Sequence, residues 1–188
     1  MAVRLRSLTK TCGTVFTPGT EAVLYMIPKG ELNGFPATVA DGGGTADGDR
    51  KRLAAPFQYV DTEGLGYWRR IELLVDTGNI RNTSEGEIGG QGYRNRAVGF
   101  IQGYGAEENE FMDDLLAYSG CVILLLALKN GPTHVIGNLS DPAFVESVEG
   151  DVETRVGYLF TMYANTGITT MIYDVETHGI NTTPNPAP

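Results

Sequence analysis

Two histidines, two cysteines and 23 carboxylates are the residues of this chain that could bind a metal or move a proton. His134 falls in a short apolar stretch and His178 in a polar one near the C-terminus. Neither has a cysteine or a second histidine at ligand spacing. Cys12 and Cys121 are far apart and in no ligand pattern. Cys121 opens an apolar run, which predicts a buried free thiol. A serine nucleophile needs a histidine and an orienting acid, and Ser119-Gly120-Cys121 reads as a helix exit instead of a strained elbow. Asp41, Asp47 and Asp49 lack the spacing that wraps a calcium ion. Among the glycine-rich stretches, Gly103-x-Gly105 comes nearest to a phosphate cradle, but it opens onto Glu107, Glu108 and Glu110, which repel a phosphate. No carboxylate pair is singled out for acid–base work. These residues predict a protein that is not an enzyme and holds no metal and no cofactor.

The remaining candidates are contact residues. Arg50-Lys51-Arg52 is a short basic triplet mixed with acids, and it reads as a solvated face or a subunit contact. Trp68 has a large amphipathic ring that anchors either a core or an interface. Arg50, Lys51, Arg52 and Trp68 are therefore the expected subunit-interface residues. Trp68 with Tyr67, or Tyr93 with Tyr104, could instead form a stacking platform in a carbohydrate-binding β-sandwich module. A net charge of −9 argues against a grip on nucleic acid, because phosphate binding needs a basic surface.

Elements that could position these residues are mostly strands. The chain has 188 residues, enough for one domain with a full core, and its 25 glycines and 9 prolines suit short strands joined by turns. Strands are expected at Glu21–Ile27, Phe57–Val60, Tyr67–Asp76 and Arg94–Gln102, with a short one around Phe144–Val148. One helix is expected over residues 106–119, where Phe111, Met112, Leu115, Leu116 and Tyr118 recur at three- and four-residue spacing. Acidic residues crowd its first turn, where the macrodipole favours them, and Ser119-Gly120 stops it. Cys121–Leu128 (CVILLLAL) reads as a strand covered on both faces, closed into a hairpin by Asn130-Gly131. A second hairpin is expected between 153–164 and 168–176, around Asn165-Thr166-Gly167. Residues 28–56 and 78–90 read as loops, the former ordered by a neighbouring subunit. Residues 1–20 and 177–188 read as terminal arms. The basic N-terminus lacks an apolar core of signal-peptide length, and no apolar run is long enough to span a bilayer.

The order of elements from about residue 90 to 175 resembles the tail tube proteins of long-tailed bacteriophages. The likeness rests on the helix at 106–119, the apolar strand, the Lys129-Asn130-Gly131 turn, the short strand ending in Ile136-Gly137, and the Tyr158–Tyr173 segment. The resemblance implies a mainly β fold, a β-sandwich or half-barrel of antiparallel strands with one flanking helix, a long loop and terminal arms. It implies hexameric rings stacked into a tube, with other tail and head–tail connector proteins as partners. It places the protein in the virion tail, assembled in the bacterial cytoplasm, with an acidic lumen that passes DNA without binding it. A tail terminator, head–tail adaptor or capsid decoration protein is the alternative within the virion.

Overall fold

The computed structural model describes residues 23–43, 50–74, 77–87, 90–127, 132–151, 153 and 156–186. Two antiparallel sheets face each other. The first has five strands: β1 (Val23–Pro28), β4 (Arg69–Glu72), β7 (Val122–Ala127), β8 (Thr133–Ile136) and β11 (Met171–Tyr173), in the order β11-β8-β7-β1-β4. The second has four: β5 (Asn79–Glu85), β6 (Gly92–Gln102), β9 (Phe144–Asp151) and β10 (Gly157–Thr166), in the order β5-β6-β10-β9. A small ribbon pairs β2 (Leu32–Gly34) with β3 (Gln58–Tyr59). Helix α1 (Ala106–Ala117) flanks the sandwich, and a single turn, α2 (Val175–His178), follows β11. The expected mainly β sandwich with one principal helix is thus the observed architecture.

Strand β7 explains the layering. Its alternate residues Val122, Leu124 and Leu126 point into the space between the sheets. There they meet Leu24 and Met26 of β1, Phe160, Met162 and Ala164 of β10, and Phe111, Met112 and Leu115 of α1. The intervening Ile123 and Leu125 point the other way, into a second cluster with Leu53, Phe57, Trp68, Val135 and Tyr173. A strand apolar at every position is what a central strand covered on both faces requires.

That second cluster is roofed by segments expected to be loop and tail. Residues 51–53 run parallel to β11, the Leu53 N–H donating to the Ile172 carbonyl (2.9 Å) and the Ile172 N–H to the Lys51 carbonyl (2.6 Å). The chain's own sheet edge therefore orders this part of the 28–56 loop, where a neighbouring subunit was expected to do so. Of residues 177–188, those described are likewise docked. The Trp68 N–H donates to the Asn181 carbonyl (2.7 Å) and the Gly64 N–H to the Asn185 carbonyl (3.1 Å). Asn185 Nδ2 reaches the Val60 carbonyl (2.9 Å), so this stretch is a strap over the core instead of a free arm. The N-terminal arm expected at 1–20 lies outside the described residues.

Other expectations change as well. β10 and β11 do not form a hairpin: β10 is flanked on both sides by β6 and β9, so it has no edge to offer, and the chain crosses to the other sheet. Residues 79–85, read as loop, form the edge strand β5. The Asn130-Gly131 turn lies outside the described residues, although β7 and β8 do pair, with Ala127 opposite Thr133. On α1, Glu108 reaches back to the Gly105 N–H (2.9 Å) and closes the N-terminus, while Leu116 is exposed. Cys121 is also exposed, lying in the turn before β7 where its backbone N–H donates to the Tyr118 carbonyl (2.9 Å). Burial of the apolar run begins one residue later, at Val122.

Candidate functional site

The four residues expected at a subunit interface fall in two different environments. Trp68 is fully buried. Its ring lies edge-on to Phe57 (centroids 5.1 Å apart, planes at 65°), and its indole N–H donates to the Tyr59 hydroxyl (3.0 Å). It has no surface to offer a neighbouring subunit or a sugar, because the strap at 179–186 and the β2–β3 ribbon enclose it; Trp68 is a core residue. Tyr67 lies under the Arg69 guanidinium (4.0 Å to the ring centroid).

Arg50, Lys51 and Arg52 lie along the edge of the five-stranded sheet. Arg50 and Arg52 are exposed and Lys51 is half-buried. Burial lowers the Lys51 pKa from its ordinary value, and its Nζ donates to the Thr169 carbonyl (3.4 Å). Arg52 borders a cleft of about 750 Å³ with Tyr173, Asp174, Glu176 and His178. The basic triplet is therefore a surface feature and remains a contact candidate, separate from Trp68.

The four-stranded sheet presents the other candidate surface, which sequence reasoning did not assemble. Its inner face is mainly apolar, whereas its outer face interleaves arginines, acids and aromatics across all four strands. Arg96 holds Glu146 by two hydrogen bonds of 2.7 Å each. The pair lowers the Glu146 pKa and raises that of Arg96, each chiefly through the hydrogen bonds between them. Arg94 sits 4.0 Å over the Tyr163 ring and within 3.5 Å of Glu85. Tyr163 stacks on Phe144, which is 43% exposed. Cross-strand pairs of this kind hold a sheet face in one geometry. The alternation Arg94, Arg96 in β6 and Tyr163 in β10 was visible in sequence, but their pairing was not.

Strands β5 and β9 border this face, and among the described residues neither pairs with a strand on its outer side. The start of β9 is covered, where the Val145 N–H donates to Ser119 Oγ (3.0 Å). Such edges expose unpaired backbone groups that template association unless they are blocked.

No group of three or more His, Cys, Asp or Glu side chains converges on a metal-sized space among the described residues. His134 Nδ1 lies 3.1 Å from Thr170 Oγ1, and burial lowers its pKa. His178 packs against the Tyr173 ring (5.6 Å). Among the described residues no helix is long and apolar enough to cross a membrane.

Comparison with known proteins returned no protein-family model, no curated sequence and no solved structure that matches this chain.

Proposed function

We propose that this chain is a structural, non-enzymatic subunit that assembles into hexameric rings stacked as a bacteriophage tail tube. The observation that supports the reading is that β5 and β9, on opposite sides of one sheet, are unpaired edges among the described residues. An edge that meets a different edge on the next copy makes a head-to-tail contact, and repetition of such a contact closes a ring. Backbone pairing would supply the bond, and the Arg–Glu–aromatic face between the edges would lie along the ring wall. The net charge of −9 suits a tube whose lumen repels a DNA backbone, with Glu107, Glu110 and Asp113 exposed on α1. Other tail and head–tail connector proteins are the partners this role requires, and the virion tail is its place. The choice of family rests on the resemblance read in the sequence from about residue 90 to 175.

Light scattering and electron microscopy of the purified chain at high concentration test the proposal. Rings that stack into tubes are the expected product. Single rings that never stack would favour a tail terminator or head–tail adaptor. A strict monomer that binds only to added capsids would favour a decoration protein, and a monomer inert to both capsids and tails would end the virion reading.

A further inference from the structure

A cavity of about 600 Å³ opens between residues 35–41, 135–141 and 166–171, at the place where the chain crosses from β10 to β11. Its lining presents more apolar than polar surface. Phe35, Leu139 and Ile168 contribute hydrocarbon surface, and Asp41, Ser140 and Asp141 contribute oxygens.

Several of these polar groups are already held in place. Asp41 Oδ2 accepts from the Thr38 N–H (3.0 Å) and hydroxyl (2.7 Å), which fixes the carboxylate and lowers its pKa. Asn138 Oδ1 accepts from the Ser140 and Asp141 N–H groups (2.8 Å each), and this turn presents Asp141. Asn138 Nδ2 donates to Asp141 Oδ2 (3.4 Å), and each carboxylate has its second oxygen, Oδ1, outside these bonds.

Asn95 lines the same cavity and is only 2% exposed. Its Nδ2 donates to Thr166 Oγ1 (2.7 Å) and the Ile168 carbonyl (3.0 Å), which fixes the orientation of the amide. Its Oδ1 is buried with no hydrogen-bond partner among the described residues. A buried acceptor left unpaired is costly, and a ligand donor recovers that cost once the 166–168 segment shifts to expose it.

The lining is thus rich in acceptors and presents no arginine or lysine side chain, which excludes phosphates and carboxylates. It favours a molecule with many hydroxyl donors and an apolar ring face. We infer that this cavity is a binding site for a neutral saccharide of two or three units, with Asn95, Asp41 and Asp141 accepting from sugar hydroxyls and Phe35 beside the ring. A cationic side chain could use the two carboxylates, but it would leave Asn95 and the apolar wall without a role. The inference is independent of ring assembly and concerns a different part of the surface.

The test is titration of the full chain with cellotriose, mannotriose and tri-N-acetylchitotriose, followed by calorimetry and amide chemical shifts. Saturable binding of at least one, with shifts at Asn95 and residues 166–170, is expected. Two variants localise it. A Cβ at Gly167 meets nothing within 4 Å, so Gly167→Phe should fill the cavity without disturbing the fold. It should weaken binding on the order of tenfold or more, since the ligand loses both space and hydrogen bonds. Asp141→Asn, at an exposed position, should weaken binding with circular dichroism unchanged. The inference is overturned if none of the three trisaccharides saturates, if Gly167→Phe and Asp141→Asn bind as the parent does, or if arginine methyl ester binds in preference to all three.

Discussion

The guanidinium of Arg69 grips the carboxylate of Glu31 with both arms, Nη1 to Oε2 and Nη2 to Oε1, each at 2.6 Å, beneath the roof of the second core. Both residues are buried, at 2% and 6% exposure. Glu31 Oε2 also accepts from the Gly66 N–H (2.8 Å), and Arg69 Nη1 donates to the Tyr67 carbonyl (2.8 Å). The pair therefore ties the turn before β2 to β4 and to the 64–68 bend on which the C-terminal strap lies. Removing one partner strands a buried charge. Arg69→Met or Glu31→Gln should each cost about 3–5 kcal/mol in denaturant unfolding, whereas the double variant should recover part of that loss. Additive losses would show that the two groups do not act as a pair.

Gly157 faces Gln102 at the first pair of the long β10–β6 register. A Cβ there would stand 2.2 Å from the Ile101 carbonyl oxygen and 2.7 Å from the Phe100 ring. Backbone cannot yield as a side-chain tip can, so Gly157→Ala should destabilise by about 1–3 kcal/mol through displacement of β10. Gly167→Ala, in open space, is the matched control and should change the thermal midpoint little. Equal midpoints for the two variants would contradict this packing.

How much of this could be read beforehand depended on where each residue's partner lay. The run Val122–Leu126 announced a strand buried on both faces, because apolar residues at every position have no other use at that length. The helix was legible from the spacing of Phe111, Met112 and Leu115. β5 was hidden, since an edge strand with only Ile80 packed on the core shows no alternation. Asn165-Thr166-Gly167 does mark a change of direction. What decided the destination was the pair of neighbours already flanking β10, a fact of tertiary structure. Trp68 has the same chemistry in a core as at an interface, and only the strap that covers it tells them apart. The cavity beside Asn95 draws on four distant segments, so no local motif could signal it.

Edge pairing makes a separate prediction for assembly. Ser84 on β5 and Glu149 on β9 are exposed, so lysine at either should leave the monomer within about 0.5 kcal/mol of the parent. A lysine on a strand edge nonetheless obstructs pairing with another chain. Ser84→Lys and Glu149→Lys should each shift the light-scattering mass from ring to monomer, and mixing the two should not restore rings. Rings that persist in both variants would place the contacts away from these edges, with the Arg50–Arg52 surface the next to examine.

Protonation gives the last prediction, and its sign follows from the half-buried His134 and the buried Tyr173. Burial holds the His134 pKa below its ordinary value of 6.5, so the unfolded chain takes up a proton more readily than the folded one. Its contribution is complete above about pH 6.5 and is lost as the pH falls toward the folded value, because stability rises with pH wherever the unfolded state binds more protons. Glu146 and Asp174, whose pKa values are lowered by hydrogen bonds from Arg96 and Thr177, contribute fully above the ordinary carboxylate range and lose that contribution as the pH falls from it through their lowered values. At the alkaline end, burial pushes the Tyr173 hydroxyl, which donates to the Gly179 carbonyl (2.7 Å), up to about 12. The unfolded tyrosine loses its proton near 10 while the folded one keeps it, so stability should fall as the pH rises from 10 toward 12. Denaturant midpoints measured from pH 5 to 11 should describe a plateau between these limbs. His134→Gln should flatten the limb just below pH 6.5, and Tyr173→Phe should reduce the alkaline one, which Tyr59 and Tyr158, also raised by burial, share. An acid limb unchanged in His134→Gln would show that the imidazole is as solvated in the folded chain as in the unfolded one.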